Sequence, residues 1–223
     1  MAAGWRWGVL LMISFVASAM LSRFRAEVKR DRTAGILQKE GSRDAIQVVA
    51  NGGIFAACAL LAQISGFGAN LLLSAAALGA LAAATADTWA TEIGTLSGHE
   101  PRSILSRKRV PRGTSGGVTL AGFVATVAGA AFIGLVAALL GFRTSMLAVI
   151  AGGIAGALTD SVLGATAQGR RWCATCELHT EQLVHICGQK TAIASGREWL
   201  DNDLVNLLCT VVGAAVAAVV ASV

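Results

Sequence analysis

The sequence predicts an all-α, polytopic membrane protein with about six transmembrane helices. Of its 223 residues, 55% are hydrophobic and only 14% are charged, and the mean hydropathy is +0.65. A soluble domain carries about 25% charged residues, so the composition excludes that class. The 26 glycines are typical of closely packed transmembrane helices. We therefore expect residues 1–223 to form a single membrane domain, with membrane lipid as its surroundings and no nucleic-acid partner.

Six apolar runs support this fold class, because each is close to the roughly 20 residues needed to span a bilayer. They are residues 5–21, 46–64, 71–90, 118–140, 146–167 and 204–220. The first run could instead be a signal peptide, since Arg6 precedes it and residues 17–19 resemble a cleavage site. The dense basic segment directly after it favours a membrane helix.

The linkers between these runs predict the topology. Residues 23–45, 97–114 and 168–200 form long polar linkers, whereas the other two linkers are short. The long linkers hold seven, five and four of the 18 Lys and Arg residues, which leaves Arg6 and Arg143 for the opposite side. Positive residues mark the cytoplasmic side of membrane proteins. We therefore expect the long linkers in the cytoplasm and both termini on the opposite side.

Carboxylates at one end of the third run are the first candidate site. A carboxylate near mid-bilayer costs roughly 2.5–3.5 kcal/mol on insertion scales, so it normally faces a cavity, a partner or a ligand. Asp87 and Thr91 are four residues apart and share a helix face, while Glu92 lies about 140° round from Asp87. The fifth run ends in the same way, with Asp160 and Ser161. The alternative is a helix that has already left the membrane, in which Asp87 is merely solvated.

The second long linker ends in a basic, glycine-rich stretch that we interpret as an anion site. Glycines let a phosphate approach the backbone, and a helix N-terminus offers free N–H groups. Lys108 and Arg112 supply positive charge, and Thr114 or Ser115 could cap the fourth predicted helix. Carboxylates opposite such a loop are the arrangement of a Mg²⁺–phosphate site. The alternative is attraction to lipid headgroups together with an ordinary helix cap. The stretch consists of Gly113, Thr114, Ser115, Gly116 and Gly117.

The third long linker carries a candidate zinc site. Its Cys-x2-Cys pair and a following His-x-Cys pair make a Cys₃His set, which suits tetrahedral zinc. A cytoplasmic location disfavours a disulfide. A redox pair and plain thiols in a packed loop are the alternatives. The four residues are Cys173, Cys176, His185 and Cys187.

The start of the sixth predicted helix is also rich in polar residues. Asp201 and Asn202 are typical N-cap residues, and Asp203 and Asn206 share a helix face farther in. Asn51, early in the second run, is a similar buried amide. Buried asparagines often join helices to one another, which is the alternative to a ligand-binding role.

Several of these motifs, in this order, resemble those of one known family. They are EGSRDA at 40–45, VANGG at 49–53, DTWATEIG at 87–94, PR at 101–102, VPRGTSGG at 110–117, DSVLGAT at 160–166, the Cys/His linker at 173–187 and NDLVN at 202–206. Through these motifs, the sequence resembles the integral-membrane family of plant phytyl-phosphate kinase and transmembrane protein 19. The resemblance covers nearly the whole chain after the first helix. Arg112 stands where a second proline is expected, and the N-terminus looks shorter, by about one helix, than in longer members.

The resemblance implies a kinase that converts an isoprenyl monophosphate to the diphosphate, as from phytyl phosphate to phytyl diphosphate in tocopherol-type metabolism. CTP, or another nucleoside triphosphate, would be the donor. We expect Asp87, Glu92 and Asp160 to bind Mg²⁺ directly or through water, and Lys108, Arg112 and residues 114–117 to hold phosphates. The remaining candidates for substrate or nucleotide binding are Asn51, Thr88, Thr91, Gly113, Ser161, Asn202, Asp203 and Asn206.

Two other functions remain open at this point. A transporter also needs intramembrane acids, but it places them near the midplane in broken helices, whereas these polar residues cluster at one end. Another lipid-phosphate transferase is the second alternative. The sequence leaves open the length of the isoprenoid, the nucleotide base and the oligomeric state.

Overall fold

The computed structural model describes residues 4–36, 45–65 and 67–223. These residues form seven α-helices and five short strands. The helices are α1 (Gly4–Arg23), α2 (Ala26–Thr33), α3 (Ala45–Ile64), α4 (Phe67–Leu96), α5 (Leu120–Leu139), α6 (Met146–Thr166) and α7 (Asn202–Ala221). Within the described residues, six of them, all except α2, are long and apolar enough to cross a membrane. This confirms the predicted helical, polytopic membrane fold.

Helix α4 lies at the centre of the bundle. It packs against α1, α3, α5, α6 and α7, and residues 74–86 are buried on every side. Most of this segment is alanine, so neighbouring helices can approach its backbone closely. A helix that is apolar all round is expected in such an interior position.

Glycines bring the backbones of α4, α6 and α7 into direct contact. A Cβ atom on Gly213 would lie 2.6 Å from Cβ of Ala83 and 2.7 Å from the carbonyl oxygen of Gly79. A Cβ atom on Gly152 would lie 2.5 Å from the carbonyl oxygen of Gly213. No side chain fits at this crossing, which therefore fixes the relative heights of the three helices.

The three long linkers meet on one end of the bundle, here called the linker face. Arg32 of the first linker donates a hydrogen bond to the carbonyl oxygen of Thr95 at the end of α4, at 2.9 Å. The backbone N–H of Glu181, in the third linker, donates to the carbonyl oxygen of Ile36 at 2.8 Å. That all three linkers share one face agrees with the predicted topology; that this face is cytoplasmic stays a prediction. The EGSRDA motif of the first linker, residues 40–45, lies outside the described residues except for Ala45.

The linkers also contain strands, which the sequence analysis did not predict. In the second linker, β1 (Arg102–Ser103) pairs antiparallel with β2 (Gly117–Val118). In the third linker, β3 (Arg170–Cys173) lies between β4 (Leu178–Thr180) and β5 (Ala192–Ser195). Pairing satisfies backbone N–H and C=O groups in segments that have no helical hydrogen bonds. The strands are too short to show the alternating pattern that identifies a strand in a sequence.

Candidate functional site

A cavity of about 590 Å³ opens at the linker face. It lies between the linker ends of α4, α5 and α6 and under the second linker, and its volume is in the range of small-molecule sites. The predicted site residues that line it are Asp87, Thr91, Arg112, Gly113, Thr114, Ser115, Gly116, Gly117, Asp160, Ser161 and Asn202. Carboxylates, cations and glycines from separate parts of the sequence thus share one cavity.

The helix crossing explains why the carboxylates of α4 and α6 lie at the same level of the bundle. Asp87 follows Gly79 by eight residues, and Asp160 follows Gly152 by eight residues. Since α4 and α6 both run toward the linker face, each carboxylate lies about 12 Å beyond the shared glycine contact. The two residues therefore stand at the same level, and both line the cavity.

One face of α4 forms a wall of the cavity. Its lining residues are Asp87, Ala90, Thr91, Gly94 and Thr95. Their spacing of three, four, seven and eight residues from Asp87 is that of a single helical stripe. The prediction that Asp87 and Thr91 share one polar edge is confirmed.

Glu92, in contrast, turns away from this wall. The Ser22 hydroxyl donates to Glu92 Oε1 at 2.6 Å, and the Lys29 ammonium pairs with Glu92 Oε2. Lys29 also donates to the carbonyl oxygens of Leu21 and Ser22, both at 2.8 Å. Because this carboxylate is neutralised by the first linker, we remove Glu92 from the candidate Mg²⁺ ligands.

The cations of the cavity differ from those expected. Lys108 lies exposed in the second linker, whereas Arg102, Arg107 and Arg112 line the cavity. Arg112 donates through Nη2 to the carbonyl oxygen of Ser97 at 3.2 Å. Its buried Nε has no hydrogen-bond partner within the described part of the chain, so the guanidinium keeps a donor available for a ligand.

Sequence reasoning missed Arg102 and Arg107. The pairing of Arg102 with Val118 places the first arginine beside the glycine-rich stretch. Arg107 occupies the left-handed region at φ 57°, in the turn between these segments, and its carbonyl oxygen accepts a hydrogen bond from Arg102 at 3.1 Å. The PR motif at 101–102 was a signal for the first of them; the position of the second depends on the turn.

The glycine-rich stretch is a turn and a strand, and the expectation that Thr114 or Ser115 caps the following helix is wrong. Helix α5 begins at Leu120, and Thr119 is its N-cap, accepting a hydrogen bond from the Gly122 N–H at 3.0 Å. The chain cannot become helical earlier because Gly117 is paired in β2. Gly116, at φ +78°, packs against α6, where a Cβ atom would lie 2.5 Å from that of Ala165.

Most of the remaining polar candidates, on α3, α4 and α7, lie outside the cavity lining. Asp201 is the N-cap of α7, accepting from the Leu204 N–H at 3.0 Å, which confirms its predicted role. Asp203 and Asn206 are 7% and 9% exposed, buried on the first turns of α7. Among the described residues, the cavity lining includes Asn202 but not the other candidates Asn51, Thr88, Asp203 and Asn206.

The cavity also has an apolar mouth. Leu120 and Phe123 of α5 and Leu158 of α6 line it, although they are 81%, 48% and 38% exposed. In a membrane protein, exposed apolar side chains on spanning helices face lipid. The cavity thus has a polar, charged interior and, at α5 and α6, an apolar mouth.

The four cysteine and histidine candidates of the third linker come together as a separate cluster. One ligand atom from each of Cys173, Cys176, His185 and Cys187 lies within 4.8 Å of every other. A hydrogen bond with His185 lowers the pKa of Cys187 to about 6, and one with Cys187 raises the pKa of Cys176 to about 11. The cluster could bind a metal such as zinc.

Residues 1–214 of the chain match the family described as integral membrane protein DUF92. Protein PGR of Arabidopsis thaliana is 32% identical, over 92% of this chain and 78% of its own length. An uncharacterized membrane protein of Methanocaldococcus jannaschii is 34% identical, over 94% of this chain and 74% of its own. Protein VTE6, chloroplastic, of Arabidopsis thaliana is 26% identical, over 86% of this chain and 52% of its own. No solved structure gives a significant match.

The chain therefore belongs to the DUF92 family of integral membrane proteins and is a multi-pass membrane protein. This confirms the family identified from its motifs.

Proposed function

We propose that this member of the DUF92 family is a membrane-embedded kinase for isoprenyl monophosphates. It transfers a phosphoryl group from CTP, or another nucleoside triphosphate, to a substrate of the phytyl phosphate type and forms the diphosphate. The observation that carries this proposal is the cavity, in which Asp87, Asp160 and three arginines stand beside an apolar mouth. The motifs that resemble those of the phytyl-phosphate kinase family, together with the homology to PGR and VTE6, support this proposal.

The chemistry needs little from the protein beyond positioning. An oxygen of the acceptor monophosphate attacks the γ-phosphorus, the bond from that phosphorus to the β-phosphate oxygen breaks, and the nucleoside diphosphate leaves. The acceptor is already an anion at neutral pH, so no strong general base is required. Orientation and neutralisation of phosphate charge supply most of the rate enhancement in such transfers.

The lining residues fit the two kinds of charge that the reaction brings together. Asp87 and Asp160 offer the oxygen ligands that Mg²⁺ prefers, and Mg²⁺ bound there would neutralise the nucleotide phosphates. Arg102, Arg107 and Arg112 would bind phosphate oxygens, for which the planar guanidinium is well suited. The backbone of the glycine-rich loop, residues 113–117, lies close enough to share in that binding.

The apolar mouth gives the acceptor a way in. An isoprenoid chain would lie in the membrane against Leu120, Phe123 and Leu158, with its phosphate inside the cavity. The nucleotide would enter from the linker face, which the distribution of Lys and Arg predicts to be cytoplasmic. The two substrates thus approach from different phases and meet at the carboxylates.

The location of the cavity favours an enzyme over a transporter. A transporter binds its substrate near the bilayer midplane, at interrupted helices. Here the middle of α4, residues 74–86, is continuous helix and fully buried. The polar residues instead gather at the last turns of α4 and α6 and the first turns of α5.

The proposal is tested with purified protein in detergent micelles. Radiolabelled CTP and ATP are offered in turn with Mg²⁺ and phytyl or geranylgeranyl monophosphate, and lipid products are separated by chromatography. We expect a labelled isoprenyl diphosphate whose formation stops when Mg²⁺ is chelated. Failure to form product with either donor and any acceptor, including longer polyprenyl phosphates, would contradict the proposal.

A further inference from the structure

We propose that Cys173, Cys176, His185 and Cys187 bind one structural Zn²⁺ ion, and that the metal-bound linker holds the glycine-rich loop of the cavity in place. This inference concerns the third linker and does not depend on which reaction the cavity performs. It requires that the four side chains form a tetrahedral set, that the backbone presents them rigidly, and that the linker contacts the loop.

The ligand atoms have the spacing of a tetrahedral site. At a Zn–S distance of about 2.3 Å, two sulfurs on tetrahedral zinc lie about 3.8 Å apart. Sγ of Cys173 and Sγ of Cys187 are 3.6 Å apart, and Nδ1 of His185 lies 3.2 Å from Sγ of Cys187. All these cysteines are free thiols. Three thiols and an imidazole converging in this way match the Cys₃His class of structural zinc sites.

Two tight turns present the ligands. Cys173 ends β3, opposite Leu178 of β4, and Cys176 lies in the hairpin turn between these strands. On the other side, the Gly188 N–H donates to the carbonyl oxygen of His185 at 2.8 Å, which closes the turn that carries Cys187. A pair of ligands on each of two turns, with Cys173 and His185 buried, is the arrangement of zinc-ribbon sites.

The imidazole of His185 is oriented by the first linker. Nε2 is buried and has no hydrogen-bond partner among the residues described, and a Cβ atom on Gly35 would lie 2.7 Å from it. Gly35 adopts φ +75°. Any other residue at this position would have a strained backbone, and its side chain would collide with the His185 ring. The ring nitrogen that remains, Nδ1, faces the thiols.

The cluster is connected to the cavity through Ser115. Arg170, in β3, donates to the carbonyl oxygens of Ser115 and Gly164 at 2.7 and 2.9 Å. The hydroxyl of Ser115 donates to the carboxylate of Glu181, which directly follows β4. The two strands that meet at the proposed zinc thus hold Ser115 from its carbonyl and from its side chain. Loss of the metal would free the hairpin and, with it, the loop.

The first experiment measures zinc by mass spectrometry in the full-length protein purified in detergent. We expect about one zinc per chain, and loss of that zinc in Cys176→Ser and in His185→Ala. Cys58→Ala and His179→Ala are matched controls, because Cys58 lies in α3 and His179 packs its ring on Trp172 at 4.8 Å outside the cluster. Folded wild-type protein that holds no zinc and takes up none from a zinc buffer would overturn the site. Equal zinc in the ligand variants and the controls would also overturn it.

A variant that removes no ligand separates metal binding from folding. Gly35→Ala should push the His185 ring and weaken zinc binding about 10-fold in competition with a chelator, the range seen when a supporting contact of a metal ligand is lost. Hydrogen exchange then tests the connection to the loop. Removal of zinc from wild-type protein should increase exchange in residues 113–117 and leave the middle of α4 protected. Unchanged exchange in that loop would overturn its dependence on the metal.

Discussion

Asp87 and Glu92 are carboxylates five residues apart on the same helix, yet their surroundings differ completely. Asp87 lines a cavity beside Asp160 and three arginines. Glu92 is held by Ser22 and Lys29 of the first linker region. The difference follows from helical phase, since five residues turn the side chain by about 140°. One carboxylate lines the cavity, while the other fastens a linker to the bundle.

An acidic residue near the end of a spanning helix is therefore not by itself a site. Its role depends on the face of the helix from which it projects and on the groups packed against that face. Lys29 gives all of its hydrogen bonds to Glu92 and to the carbonyl oxygens of Leu21 and Ser22. In the cavity, the buried Nε of Arg112 keeps a free donor among the described residues. Lys29 and Glu92 thus hold the first linker to one face of α4. On the cavity side, Arg112 keeps a donor for a ligand.

The largest expected effect follows from removing the second carboxylate of the cavity. Asp160→Asn should lower phosphate transfer about 1,000-fold, because an electrostatic group aimed at the reacting phosphates is lost. The change is isosteric, so the melting temperature in detergent should stay near that of wild type. Transfer rates of Asp87→Asn, Asp160→Asn and the double variant should be similarly low, since residues that bind one ion act together. Independent, additive losses would contradict a shared metal site.

Breaking the ion pair on the other face should affect stability instead. Glu92→Gln leaves the buried ammonium of Lys29 without its counter-charge, which destabilises by about 3 kcal/mol. Thermal unfolding followed by circular dichroism in detergent measures this loss. The double variant Lys29→Met/Glu92→Gln should recover much of it, because no buried charge then remains. If Glu92→Gln and the wild type melt at the same temperature, the pair does not stabilise the fold.

Arg112 is the expected phosphate-binding cation of the cavity. Arg112→Lys keeps the charge but loses the planar set of donors, so the KM for the nucleotide should rise about tenfold. Lys108→Ala is the control, because Lys108 lies exposed beside the same loop. Steady-state kinetics at saturating acceptor distinguish the two. A larger effect of Lys108→Ala than of Arg112→Lys would indicate that only the overall charge of the linker matters.

The smallest effect is expected at Thr91, which shares the cavity stripe with Asp87. Thr91→Val removes one hydroxyl at constant shape and should lower transfer by about fivefold, the value of a single neutral hydrogen bond. Thr95→Val, one turn farther along, serves as the reference at the rim, because its hydroxyl already donates to the carbonyl oxygen of Thr91 at 2.7 Å. A larger loss of activity in Thr95→Val than in Thr91→Val would indicate that the reacting groups lie closer to the linker than proposed.

Much of this arrangement could be predicted from the sequence. The six spans follow from apolar length, and the separation of Asp87 and Thr91 from Glu92 follows from helix geometry. The Cys-x2-Cys and His-x-Cys pairs anticipated the cluster at the third linker. The partner of Glu92 could not be predicted, because Lys29 is 63 residues away in a basic segment whose members look alike. The start of α5 was missed because pairing of Gly117 in β2 is a tertiary contact.

A single-turnover assay of wild type, Asp87→Asn and Glu92→Gln, run side by side, tests whether the cavity is the site of phosphoryl transfer. Each protein is mixed with labelled nucleotide, Mg²⁺ and isoprenyl monophosphate, and product is counted per folded molecule. We expect Asp87→Asn to lose transfer and Glu92→Gln to keep at least about half of it below its melting temperature, because Glu92 is not among the described residues that line the cavity. Full activity in Asp87→Asn, or equal loss in both variants, would contradict the assignment of the cavity as the site of phosphoryl transfer.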